Sequence, residues 1–210
     1  MTQKSFSKKM MILAGAHQVF VRKGFHAVTM TDIVEQCGIS RGGLYRYFNS
    51  TDEIFRALLM ENSQQTQEAF TAQMEAATPF QQIMDAFWSS QQIELAEIND
   101  SIMTAAYEFF LSHRDAEDRE LLHHQQDHSI TELSRVIDYG VKRGEIQVQA
   151  SRTAAAHIVI FLEGLRVLAL STHLTEDFIR EQLDFIQTHL YERSVPNEHR
   201  HFRSERNETF

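Results

Sequence analysis

Cysteine is almost missing from this chain. The single residue, Cys37, excludes an intramolecular disulfide framework and fits a reducing cytosol. Proline is nearly as scarce, with two residues, and glycine numbers eight. So few breakers favour long helices over many short strands. The opening MTQKSFSKKMMILAG holds an apolar run too short to span a membrane, and it lacks the layout of a signal peptide. A soluble, cytoplasmic protein with no membrane partner is therefore expected. A nucleophile motif, a phosphate-cradling loop and a paired acid/base constellation are also missing. The expectation is a protein that is not an enzyme and needs no cofactor.

What is present is a chain of 210 residues, 42% apolar, enough for one medium domain with a real core plus a smaller unit. The net charge of −9 conceals an asymmetry. Residues 1–60 hold eight Lys/Arg and four Asp/Glu, a net +4, and residues 61–210 hold 12 and 25, a net −13. A basic segment on an acidic body directs one end of a molecule at a polyanion.

Helical periodicity runs through the whole chain. Ile12, Leu13, Ala16, Val19 and Phe20 mark one face of a first helix over 7–23, closed by Lys23 and Gly24. Thr29, with Asp32 three residues on, reads as the cap of a short second helix with a weak form of capping box, ended by Gly38. Ser40 caps a third helix in which Leu44 and Phe48 share a face, and Ser50 with Glu53 opens a fourth that runs to about residue 76. The second and third helices are about three residues apart, the spacing of a helix-turn-helix. Helices are expected next over 79–98, 102–112, 115–143 and 154–170, the last of these capped by Ser151. Thr175 caps a final helix carrying Phe178, Ile179, Leu183, Ile186 and Leu190. No strand pattern stands out, and the residues after Pro196 read as a flexible polar tail. The expected organisation is a helix-turn-helix unit over 1–50, a helical body over 51–194 and a tail over 195–210.

The stretch VTMTDIVEQCGISRGGLYRYFNSTDEIFRALL resembles the DNA-binding segment of TetR-family transcriptional regulators at Thr29, Asp32, Ile33, Gly38, Ser40, Gly42, Leu44, Tyr45, Phe48, Ser50 and Ile54. The Lys23–Gly24–Phe25 close of the first helix matches as well. The resemblance implies an all-α fold, with three N-terminal helices for DNA and a ligand-binding, dimerising body. It implies a homodimer joined by the last two helices, a palindromic double-stranded operator, and repression relieved by a small-molecule effector.

Carried over residue by residue, Arg41, Gly42 and Gly43 lie at the front of the recognition helix. An arginine there can pair bidentately with guanine, and a glycine lets the backbone approach the bases. Tyr45, Arg46 and Tyr47 match positions that meet phosphates or the neighbouring base step. Thr29 and Ser40 belong to the same interface, with the helix N-terminus behind Thr29 offered to phosphate. Thr51 stands where relatives often carry a phosphate-binding lysine, and Asp52 would repel phosphate if it faced DNA. Affinity then leans on Arg41, Arg46, Lys4, Lys8 and Lys9.

In the body, Trp88, Gln91, Tyr107 and Phe110 are the candidate effector residues, since ligand pockets combine apolar walls with a few placed polar groups. Glu163 and Arg166, three apart in an apolar helix, are expected to bridge each other at the dimer interface or to anchor a ligand. Eleven histidines raise the question of a metal. His124 and His128 stand at i, i+4, with His123, Glu120 and Asp127 nearby, a spacing that can share an ion. The pattern lacks the glutamate next to the first histidine of a zinc-protease helix, and no metal is assigned. The competing reading is a helical metal-binding or enzymatic protein with a helix-turn-helix-like N-terminus.

Overall fold

The computed structural model describes residues 3–189 and 192–193, with side chains from Phe6 to His189. The side chain of Lys4, Leu190 and the expected tail lie outside them. Nine α-helices fill the described residues: α1 (Gln3–Lys23), α2 (Met30–Cys37), α3 (Arg41–Tyr45), α4 (Thr51–Glu75), α5 (Phe80–Ala96), α6 (Met103–Ser112), α7 (Ala116–Lys142), α8 (Ser151–Ser171) and α9 (Glu176–His189). The segment between α5 and α6 contains a short 3-10 turn, Ile98–Asp100. One feature was not expected. Two-residue strands, β1 (Ile146–Gln147) and β2 (Glu192–Arg193), pair antiparallel. At that length a strand leaves no alternation to read in the sequence.

Apolar side chains gather in two clusters. The N-terminal one joins α1, α2 and α3 to the first half of α4 and to Ala105, Ala106 and Phe109 of α6. The second is built from α5, α7, α8 and α9, with Phe70 from the second half of α4. The expected boundary at residue 51 falls on the first residue of α4. The side-chain clusters instead part within that helix, so α4 belongs to both.

Helix α8 is long and apolar enough, by length and composition, to cross a membrane. One of its faces is core: Ala154, Ala155, Ile158, Val159, Leu162, Leu165 and Ala169 are buried. Ile160, Val167 and Leu168 remain exposed on it. Its start corrects the expectation for Ser151. The helix begins with that residue, Ala150 is the cap position, and no side-chain cap bond is made. The first helical bond, from the Ala154 N–H to the Ala150 carbonyl, puts Ser151 one residue too far along the chain to cap it.

Candidate nucleic-acid interface

The helix-turn-helix is set by local hydrogen bonds. The Thr29 hydroxyl oxygen accepts the Asp32 N–H at 3.3 Å, and Asp32 accepts the Thr29 N–H at 2.9 Å. This is a full capping box, stronger than the weak form expected. Thr29 also donates its hydroxyl to Asp32 at 2.8 Å. Its side chain is thus committed to the cap. The α2 N-terminus remains as the group it offers to phosphate. Lys23 lies 2.6 Å from Asp32, and that hydrogen bond, with those from Thr29, holds the Asp32 carboxyl down at about 2.

Gly38 ends α2 in the left-handed region (φ 60°, ψ 35°), where its N–H turns back to the last carbonyls of the helix. The chain then reaches Ser40, whose hydroxyl oxygen accepts the Gly43 N–H at 3.1 Å. Helix α3 is shorter than expected. It closes at Tyr45, and the Tyr47 and Phe48 N–H groups fold back onto the Leu44 carbonyl as a turn. Leu44 and Phe48 still bury the same side of the unit.

What remains outside is Ser40, Arg41, Gly42, Tyr45 and Arg46, all exposed. Gly43 and Tyr47 are half-buried, and Tyr47 packs on the N-terminal cluster. The Arg41 guanidinium lies over the Tyr45 ring at 5.9 Å, which gathers cation and aromatic into one patch. The two glycines differ. Around Gly42 a Cβ would meet nothing within 4 Å, so the fold does not demand glycine there. At Gly43 a Cβ would come 3.1 Å from the Ser40 hydroxyl oxygen, so this glycine protects the cap.

Thr51 opens α4 behind the Ser50 cap, half-buried. Asp52 does not stand free before a phosphate, because its carboxylate lies 3.6 Å from the His113 ring at the end of α6. Glu53 is likewise engaged, accepting the Asn49 N–H at 2.7 Å. The Lys9 ammonium lies 5.6 Å above the ring of Phe48, beside this junction, while Lys8 is exposed.

In the body, three of the four candidate effector residues lie near one another. Arg166 of α8 donates to Gln91 at 2.6 Å, to Glu94 at 2.6 Å and to Glu163 at 2.8 Å, and Tyr107 donates its hydroxyl to Glu163 at 2.5 Å. Burial works against the Arg166 charge, but the Glu94 and Glu163 carboxylates outweigh it and raise the guanidinium's pKa. Burial, then the Glu163 carboxylate, pushes the Tyr107 phenol up. Trp88, one turn before Gln91, is buried with its indole N–H unpartnered. Phe110 lies elsewhere, packed against the N-terminal cluster beside Phe109. The expected Glu163–Arg166 bridge exists within α8, and its two members also reach Glu94 of α5 and Tyr107 of α6. Glu94 escaped sequence reading because it lies 72 residues from its partner.

An open cleft of about 830 Å³ runs between α4 and α7, lined among others by Ser63, Gln67, Thr71, His124, Gln125 and His128. The His128 ring meets the Ser63 carbonyl at 3.2 Å, and His124 meets Glu120 at 3.7 Å. Among the described residues, no group of three or more His, Cys, Asp or Glu side chains is arranged to hold a metal.

The family model described as bacterial regulatory proteins, tetR family, matches residues 12–58, and one for the tetracyclin repressor-like C-terminal domain matches residues 83–180. The HTH-type transcriptional regulator YfiR of Bacillus subtilis, itself uncharacterised, is 31% identical over 156 residues, 73% of this chain and 76% of YfiR. The chain belongs to the TetR family.

TetR-family membership makes it a DNA-binding transcriptional regulator with a helix-turn-helix. The fold agrees. A transcriptional regulator of Saccharomonospora viridis, solved in complex with choline, superposes with a TM-score of 0.70 at 21% identity, covering 89% of this chain and 99% of that one. FadR of Bacillus subtilis, solved with stearoyl-CoA, gives a TM-score of 0.63 at 18% identity over 85% of this chain and 97% of its own. The first TetR match spans the capped helices described above, and the second covers the helices that hold the Arg166 network.

Proposed function

We propose that this protein is a cytoplasmic repressor that binds a palindromic operator as a homodimer and is released by a small-molecule effector. The observation that carries the reading is the exposed Arg41–Gly42–Tyr45–Arg46 patch, presented by a Ser40-capped helix directly after the Gly38 turn. Arg41 reads base edges, Gly42 admits the backbone, and Tyr45, Arg46 and Tyr47 hold the phosphate chain. The α2 N-terminus behind Thr29 and the hydroxyls of Ser40 and Thr51 contribute at its edges, and Gly43 keeps the Ser40 cap intact. The +4 charge of the first 60 residues, against −13 for the rest, orients this end toward DNA.

Dimerisation through α8 and α9 is supported by their uncovered apolar side chains. Ile160 is 69% exposed and Phe185 is 59% exposed, with Val167, Leu168 and Phe178 also open. Apolar surface gathered in this way marks an interaction site. For the effector, Trp88, Gln91 and Tyr107 form the candidate face, backed by the Arg166 network. Phe110, the fourth candidate, packs from α6 on the N-terminal cluster. Structures of the same fold that hold choline and stearoyl-CoA support a body able to take a small molecule.

A gel shift on the DNA upstream of the protein's own gene tests the reading. The wild-type protein is expected to give a sequence-specific shift that Arg41→Ala and Tyr45→Phe weaken. A specific shift untouched by both variants would remove the assignment of α3 as the reader.

A further inference from the structure

Glu108 of α6 reaches out of the body to the turn that ends α1. One carboxylate oxygen accepts the Phe25 N–H at 2.6 Å and the His26 N–H at 3.2 Å. The approach depends on Gly24. That residue has φ 72°, and a Cβ on it would stand 2.7 Å and 2.8 Å from the two Glu108 oxygens. Glycine therefore provides both the backbone conformation and the clearance. The Phe25 ring packs edge-on against Phe55 and Phe109, which fixes the turn from its other side.

The preceding residue, Tyr107, holds Glu163 of α8. Successive helical residues point about 100° apart, so α6 grips the turn with one side chain and the body with the next. The helix-turn-helix unit meets the body elsewhere largely through apolar packing, which resists separation more than it resists a small change of angle. Bonds from two amides to one carboxylate are directional and charge-assisted.

We propose that Glu108 is a positioning residue for DNA reading. Its carboxylate, seated on the α1–α2 turn, sets the angle of the helix-turn-helix on the body and hence the half-site separation that the dimer accepts. This rests on the reading of the chain as a dimer on a palindrome.

The experiment starts from DNA selected by the wild-type protein out of a random library. Palindromes are then made with the half-site separation changed by one or two base pairs, and affinity is measured on each. The wild-type protein is expected to favour one separation sharply. Glu108→Ala is expected to cut that discrimination by about tenfold, on the scale of one charge-assisted hydrogen bond. Glu108→Gln keeps an acceptor oxygen and should retain most of the discrimination. Glu108→Asp, whose carboxylate falls one methylene short of the turn, should lose discrimination as the alanine variant does, and it carries the test if the alanine variant melts below the assay temperature. A merely structural role would lower affinity equally at every separation, so profiles of the alanine or aspartate variant that run parallel to wild type overturn the assignment. A wild-type protein that selects no palindrome at all would overturn the dimer reading and Glu108 with it, a result distinct from parallel profiles.

Discussion

The Arg56 guanidinium lies 2.6 Å from a carboxylate oxygen of Asp118 whose side chain has no solvent exposure. The pair bolts α4 to α7 just below the DNA-binding unit. Burial lowers the arginine's pKa, but the hydrogen bond and the Asp118 charge more than reverse it, so the guanidinium stays charged. The other Asp118 oxygen has no partner, which makes the arginine its main compensation.

Removing one member should therefore cost far more than removing both. Arg56→Met alone leaves a buried carboxylate uncompensated and is expected to cost about 3 kcal/mol. The double variant Arg56→Met/Asp118→Leu should recover most of that loss. Urea denaturation of the three proteins checks it, and equal losses in the single and double variants would contradict the buried-pair account.

Gly42→Ala separates folding from reading. The site has open space for a methyl group, and alanine favours a helix over glycine by about 1 kcal/mol. The variant should melt at the same temperature or higher while losing specific DNA affinity. Gly43→Ala crowds the Ser40 hydroxyl and should instead lose stability along with binding, comparably to Ser40→Ala at about 1 kcal/mol. Thermal melts beside gel shifts distinguish the two glycines.

Salt dependence reports the phosphate contacts. Thr51→Lys should steepen the log–log slope of affinity against salt by about one unit, and Lys9→Ala should flatten it by about one. The sequence makes Asp52 a repulsive charge only if it faces DNA, and its carboxylate lies beside His113. Asp52→Asn should accordingly change the slope little. A slope that ignores Thr51→Lys would remove this edge from the DNA contact.

Acid sensitivity of the α2 cap follows from Asp32. Its carboxyl is lowered from the ordinary 3.8 to about 2, first by the Lys23 hydrogen bond. A depressed carboxylate contributes stability that is complete above the unfolded value and is lost as pH falls through the folded one. The window is therefore about pH 4 down to about pH 2. A carboxyl carbon NMR titration should place the Asp32 midpoint near 2, and Lys23→Met should raise it.

Much of this was legible in the sequence because capping is local. Thr29, Ser40 and Ser50 each act within three residues, and each caps the helix it was expected to cap. Ser151 shows the limit. The residue type was right for a cap, but the chain leaving β1 enters the helix at Ala150. The links that organise the molecule span long stretches: Glu108 to Phe25 is 83 residues, Arg166 to Glu94 is 72 and Arg56 to Asp118 is 62. A charge pair at such a separation has no periodicity to reveal it. Only the i, i+3 part of the Arg166 network, Glu163, could be read in advance.

Helix α4, shared by both cores, has the placement of a lever arm. Its 25 residues span about 37 Å. A tilt of about 5° at its body end would carry the Thr51 end sideways by about 3 Å, close to the rise of one base pair along DNA. In the proposed two-fold dimer the displacements of the two arms would combine. An effector of the proposed kind, shifting the body by a fraction of a helical turn, would then take both readers out of phase with the double helix without unfolding anything.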